Sequence, residues 1–249
     1  MSMSCKLNPL FRFFWAIMAI VFVAVVTEPS AGAKTVYWGR SKKTVVLDPG
    51  HGGADTGARS PDGTLEKQLT LELSHRLVER LASAYRVSLT RSEDYRLDID
   101  RRTDVANNLD ADVFISVHAA GSFTPAANGI CIYYFKETVS GEIPGSGLPK
   151  DTQDPLPVWD HLQLRHFHTS RLLAKSLKEK LAPLTPSTVM AAPVLVLRGA
   201  DMPAVMIEVG YLSNSEDASR LRDSEYLDAL TLAIAGGIDA FFSTLRQAK

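Results

Sequence analysis

Residues 44–58 read TVVLDPGHGGADTGA, and the fold is decided here. Val45, Val46 and Leu47 form a short, largely β-branched apolar run that ends at Asp48-Pro49-Gly50, as a buried strand does when it enters a turn. His51 follows directly. Its neighbours Gly52, Gly53 and Gly57 let the backbone take positive φ and come close to a bound ion or substrate, where larger residues would obstruct. A histidine at the carboxyl end of a strand stands where open α/β sheets place their ligands. Read alone, His51 is as readily a turn histidine as a ligand, so its partners must come from the rest of the chain.

Outward from this stretch, Leu65, Leu69, Leu73, Leu77 and Leu81, with Leu71 and Val78 beside them, predict one apolar helical face ending near Ala84. Glu66 falls in the first turn. A carboxylate there suits the helix dipole, and it reads either as a solvated cap or as an acid turned back toward the strand end. Arg86–Thr90 predicts the next strand and Ile99–Leu109 a second helix that stops at Asn107-Asn108. Val113–Val117, apolar except for Ser116, predicts a strand covered on both faces, and it too ends in a histidine, His118. Two strands of an alternating βα chain that each deliver a histidine at the carboxyl end bring those histidines to one edge.

Gly129–Phe135 predicts another strand, and beyond it periodicity dissolves. Residues 137–159 are rich in Gly, Pro and polar side chains, a loop long enough to be functional or without fixed structure. Helical spacing resumes over Leu162–Leu184, with Leu164, Phe167, Leu172, Leu173 and Leu177 as expected core contacts. His161, His166, His168 and the mid-helix His75 read as surface or cap residues, since the spacing of the last pair of the cluster puts them on different sides of a helix. Pro193–Leu197 and Pro203–Val209 are the last expected strands. The second holds one carboxylate, Glu208, in a nearly unbroken apolar run. An ionised Glu there is costly unless it is paired, close to a metal or at a strand end. Two helices, Ser215–Arg222 and Glu225 to about Leu245, close the chain.

The N-terminus reads as a cleavable signal peptide over residues 1–33. Lys6 and Arg12 supply a basic start, Phe13–Val26 is an uncharged apolar run, and Ala31-Gly32-Ala33 is an A-x-A cleavage site. That run is about fourteen residues long, short of the roughly twenty that a membrane-spanning helix needs. The mature chain, residues 34–249, is one domain's worth of sequence with 25 basic and 27 acidic side chains, a balance that implies no nucleic-acid partner. Cys131 is its lone cysteine, which excludes an intrachain disulfide, and its mid-strand position reads as a small core residue rather than a nucleophile.

His51, Glu66, His118 and Glu208 are thus the candidates. Two imidazoles and one carboxylate leave a fourth position open on a tetrahedral zinc, the arrangement of hydrolytic sites, and a further carboxylate is what such a site needs to move protons. There is neither a GxSxG elbow nor a P-loop.

Four motifs together resemble a known family: His51–Ala58 (HGGADTGA), Glu66 at a helix start, the block from Arg101 to His118 ending Phe-Ile-Ser-Val-His, and residues 203–214 (PAVMIEVGYLSN). In this order, and over about residues 44–243, they are similar to the zinc-dependent N-acetylmuramoyl-L-alanine amidases of the amidase-3 family. The resemblance implies a single α/β domain with a mixed, largely parallel sheet of about six strands flanked by helices. It implies His51, Glu66 and His118 as zinc ligands and Glu208 as the catalytic acid/base. Its substrate would be peptidoglycan, cut between N-acetylmuramic acid and L-alanine by an exported enzyme, periplasmic or extracellular, with no membrane attachment after signal cleavage. Ala119-Ala120 and Ser187–Met190 depart from the family's usual residues and bear on substrate subsites. The loop over residues 137–165 lies where some relatives carry a zinc-blocking helix, which implies an activator protein acting on it. Rival readings are a zinc peptidase or deacetylase of the same polymer, and an inactive wall-binding regulator with the same fold.

Overall fold

The computed structural model describes residues 42–124, 126–136 and 162–247. The expected signal segment and all of the expected loop except residues 162–165 lie outside them. Six strands form one mixed sheet: β1 (Thr44–Pro49), β2 (Arg86–Leu89), β3 (Val113–Ala120), β4 (Ile130–Phe135), β5 (Ser187–Ala192) and β6 (Ala204–Tyr211), in the order β2-β1-β3-β6-β4-β5. All neighbours run parallel except β4 against β6. The helices are α1 (Glu66–Leu81), α2 (Ile99–Asn108), α3 (Leu162–Arg165), α4 (Phe167–Leu181), α5 (Leu195–Arg198), α6 (Ser215–Arg220) and α7 (Ser224–Gln247).

Strand alternation divides the core in two. Val45 and Leu47, Val113, Ile115 and Val117, and Val205, Ile207 and Val209 face α1, α4 and α7. The intervening Val46, Phe114 and Ala204 face a smaller layer made by Ala106 of α2 with Val196 and Leu197 of α5. The period of two carries this second face on through Ser116 to His118 in β3 and through Met206 to Glu208 in β6. The register then pairs His118 with Glu208. Beyond that pair the ladder shifts, and Ala120 pairs with Tyr211 across an irregularity that includes Gly210 at φ +151°. Asp217 fixes this end of β6 by accepting from the amides of Tyr211 (3.0 Å) and Gly129 (2.8 Å), while Asn214 caps α6 by accepting from Glu216 and Asp217. Helix α7 is long and apolar enough to cross a membrane, yet it serves as a core helix, with Leu230, Ile234, Ile238 and Phe241 fully buried.

The structure corrects three expectations. Pro193–Leu197 is not a strand: the fifth strand is Ser187–Ala192, and Leu195–Arg198 forms a helical turn that buries Val196 and Leu197. Pro193 lacks the N–H a ladder requires, so the sheet ends before it. Ser187–Ala192 pairs only with β4 at the sheet edge and buries none of its residues, which removed the apolar signal. The helix expected over Leu162–Leu184 is interrupted at His166, and Leu164 faces solvent rather than the core.

Helices α4 and α7 approach closely at Gly237, where an added Cβ would stand 2.8 Å from the Leu177 Cα. Gly237→Ala should therefore lower the melting temperature, although helix propensity alone predicts a gain of about 1 kcal/mol. At neighbouring Gly236 the nearest atom would be the flexible Lys180 Cγ at 3.7 Å, and Gly236→Ala should stabilise by roughly 0.5–1 kcal/mol. Thermal unfolding of the two variants checks the pair, and equal shifts would contradict this helix contact.

Candidate metal centre

The parallel strands end at one rim, and three of the four candidates arrive there from different elements. His51 directly follows β1, Glu66 is the first residue of α1, and His118 lies near the end of β3. The chain from β1 to α1 is folded back so that Glu66 N donates to Ala58 O at 2.9 Å, which turns the acid toward the strand ends. Glu66 is only 3% exposed and is no solvated cap. Its Oε1 contacts His118 Nδ1 at 2.9 Å and accepts from Ala119 N at 3.0 Å, while Oε2 lies 3.0 Å from His51 Nε2 and accepts from Ala58 N at 2.7 Å. One donor atom from each of His51, Glu66 and His118 lies within 4.8 Å of the others, a spacing that can hold a metal ion. His51 itself has φ +59°, a conformation a non-glycine residue adopts only when its surroundings impose it.

Two glycines clear the space. A Cβ at Gly50 would stand 2.5–2.7 Å from the His118 ring, and one at Gly57 would collide with Glu66 Oε2 and reach 2.6 Å from His51 Cδ2. At Gly57 φ is +65°, so both the approach and the conformation call for glycine. Asp55 Oδ1 lies 2.9 Å from His51 Nδ1, near enough for charge although outside hydrogen-bond geometry. Glu208 stands beside His118 on the adjacent strand, and its buried Oε2 has no hydrogen-bond partner. His75 and His166 are engaged elsewhere, with Ser92 O at 3.2 Å and Asp201 at 3.0 Å, and His161 lies outside the described residues. Cys131 is buried within β4 and pairs in register with Glu208.

The two acids are tuned in opposite directions. Burial pushes the Glu66 pKa up, but the hydrogen bonds and charges of the two imidazoles outweigh it and hold the group down at about 2. For Glu208 burial is the main effect against ionisation; the adjacent His118 and, more weakly, His51 favour the charged form, the Glu66 charge opposes it, and the group is raised to about 7. Burial disfavours the charged His51 ring, yet Glu66 and Asp55 raise its pKa overall. A buried, strongly ionised acid between two imidazoles suits a cation. A half-buried acid with its pKa raised toward neutrality suits proton transfer.

Sequence reasoning missed what holds these groups. Asp48, fully buried in β1, accepts from Thr90 Oγ1 (2.5 Å), Ser116 Oγ (2.7 Å) and Arg102 Nη1 (2.8 Å). Arg91, also fully buried, donates to the Pro49, Gly50, Lys67 and Glu93 carbonyls. A carboxylate inside an apolar strand was the available signal. A groove of about 310 Å³ opens at the cluster, lined by His51 and His118 together with Arg96, Ile99, Val196 and Met206.

An α/β sheet with a His-Glu-His cluster that could hold a metal ion, and beside it an acid with an unpartnered oxygen at the strand-end rim, is the arrangement found in metallohydrolase-type centres. The chain belongs to the N-acetylmuramoyl-L-alanine amidase family, amidase-3, whose sequence model matches residues 45–240. It is 34% identical over 205 residues to the probable cell wall amidase LytH of Staphylococcus epidermidis, covering 81% of this chain and 59% of LytH. The first relatives it matches are longer, and the chain spans 52–59% of their length. Among solved structures, the catalytic domain of the amidase CwlV from Bacillus (Paenibacillus) polymyxa is 29% identical with a TM-score of 0.66, covering 81% of this chain and 98% of that one. The CwlD amidase from Clostridioides difficile, solved in complex with the GerS lipoprotein, is 27% identical with a TM-score of 0.64, covering 81% of this chain and 99% of that one.

In the metal-free protein Glu66 makes stability depend on pH with a definite sign. Its folded pKa of about 2 lies below the ordinary value of 4.5. Its contribution is therefore complete above about pH 4.5 and is lost as the pH falls toward 2. The melting-temperature gap between the wild type and Glu66→Gln should narrow over this range. A gap unchanged down to pH 3 would contradict the assigned contacts.

Proposed function

We propose that this chain is a zinc-dependent N-acetylmuramoyl-L-alanine amidase that hydrolyses the amide between the lactyl group of N-acetylmuramic acid and L-alanine in peptidoglycan. The convergence of His51, Glu66 and His118 beside the unpartnered Glu208 carboxylate, in a chain of this family, carries the reading. Two nitrogens and one carboxylate oxygen are the donor set of catalytic zinc, and they leave a coordination position open. In this reading His51, Glu66 and His118 hold the ion, and Gly50 and Gly57 keep the space around them clear.

Zinc, when bound, supplies Lewis acidity that polarises the scissile carbonyl and makes water more acidic near neutral pH. Glu208 does the proton work. It takes a proton from the attacking water and returns one to the alanine nitrogen as the C–N bond breaks, a role open to it because its Oε2 has no hydrogen-bond partner. The products are a free lactyl carboxylate and a free stem-peptide amine. The groove beside the cluster combines an apolar lining with charged groups of both signs, Arg96 with Asp55 and Asp98, and suits a peptide with apolar and polar groups.

The proposal extends to the cell envelope as the place of action, periplasmic or extracellular, reached through the signal peptide of residues 1–33. The cell-wall name of LytH supports it. It extends also to an activator protein acting on the loop over 137–165, a reading supported by the complex of CwlD with GerS.

Glu208→Gln should lower the release of free stem peptides from purified sacculi on the order of a hundredfold or more while zinc stays bound at full stoichiometry. His51→Ala and His118→Ala should lose the metal itself. Mass analysis of the products together with metal content checks both, and full turnover in Glu208→Gln, or bound zinc in both histidine variants, would overturn the assignment.

A further inference from the structure

Three successive carbonyls at and just beyond the end of β1, those of Pro49, Gly50 and His51, each accept from a buried guanidinium group. Pro49 O accepts from Arg91 Nε at 3.0 Å and from Arg102 Nη1 at 2.7 Å. Gly50 O accepts from Arg91 Nη2 at 2.7 Å and from Thr70 Oγ1 at 3.1 Å. His51 O accepts from Arg102 Nη2 at 2.9 Å. Arg102 is 5% exposed and makes two further contacts, Nε to Leu97 O at 3.2 Å and Nη1 to Asp48 at 2.8 Å.

A buried guanidinium is costly unless its charge is neutralised and its donors are satisfied, and here Asp48 and three carbonyl acceptors do both. The network lies at the one place where it restrains a strained residue. His51 is held at φ +59°, and its imidazole direction follows from that backbone setting. The carbonyl that follows the strained Cα is the one Arg102 grips. Were it released, the peptide unit after His51 could rotate toward an ordinary conformation and carry the ring away from Glu66.

We propose that Arg102, neutralised by Asp48, is a positioning residue for the metal centre: it locks His51 in the left-handed conformation that turns the imidazole toward Glu66 and His118. The proposal rests on the reading of His51 as a metal ligand. Arg91 holds the two preceding carbonyls but not that of His51, so the burden on the ligand itself falls on Arg102. A lysine there could answer the Asp48 charge yet could not span His51 O, Pro49 O and Asp48 from one rigid plane.

The test uses the full mature chain, with Arg102→Lys keeping the charge and Arg102→Gln keeping a planar amide donor. Asp112→Ala is the comparator, since Asp112 accepts from Thr44 N and Lys43 Nζ at the far end of β1 and its loss destabilises the same strand away from the site. Three properties are measured: the melting temperature of the metal-free protein, the zinc dissociation constant by chelator competition, and the visible spectrum with Co²⁺ substituted. Both Arg102 variants should bind zinc roughly 10–100-fold more weakly and show a changed Co²⁺ spectrum. Asp112→Ala, at a comparable loss of melting temperature, should keep wild-type affinity and spectrum. Should one Arg102 variant fail to fold, the other carries the test. Wild-type zinc affinity and spectrum in a folded Arg102 variant would overturn the proposal. Wild-type affinity in His51→Ala would instead overturn the ligand reading beneath it, so the two failures are distinguishable.

Discussion

A single buried carboxylate organises this molecule. Glu66 sits at the start of α1, and its two oxygens meet four nitrogens: two imidazoles from the ends of β1 and β3, and the backbone amides of Ala58 and Ala119. Each contact fastens a different segment to the same point. The loop after β1, the first turn of α1 and the end of β3 can assume these positions together only if the helix packs on the sheet in the observed register. The core of Leu69, Leu73, Leu77 and Leu81 against β1 and β3 provides that packing. The hydrophobic layer and the polar centre therefore depend on each other: burial sets the distances, and the ionised carboxylate makes the buried polar cluster tolerable.

The second acid shows why position on the sheet matters as much as residue type. Glu208 and His118 are register partners on adjacent parallel strands, so they share a face and a depth. Glu66 is satisfied on every side and stays ionised, whereas Glu208 is half-buried with a buried, unpartnered oxygen and has its pKa raised to about 7. Two neighbouring carboxylates are thus assigned different chemistry by burial, nearby charge and the presence or absence of hydrogen-bond partners. Asp48 continues the same face inward, and through it the buried arginines brace the backbone from which His51 projects.

Much of this was legible in the sequence, for reasons that explain what was not. Strands β1, β3 and β6 and helices α1 and α7 bury continuous or periodic apolar residues, and burial leaves that mark on a sequence. The two histidines stood out because each ends such a strand, and Glu208 because it interrupts one. Strand β5 was misplaced because an edge strand with no buried residue carries little apolar signal, while the apolar Val194–Leu197 imitated a strand and is a helical turn. Leu164 belongs to a four-residue helix whose leucines do not both reach the core. Arg91 and Arg102 escaped notice because arginines near loops read as solvated, and only three-dimensional placement shows their donors turned inward onto the carbonyls of residues 49–51. Helical and strand patterns report burial of apolar area. They are silent on buried charge that is fully paired.

The most direct measurement of the central claim is an anomalous-scattering map at the zinc edge from crystals of residues 34–249 loaded with zinc. The account predicts one strong peak at about 2.0–2.2 Å from a nitrogen of His51, an oxygen of Glu66 and a nitrogen of His118, with Glu208 beside it and unligated. A peak bound by other residues, or none between these three, would contradict it.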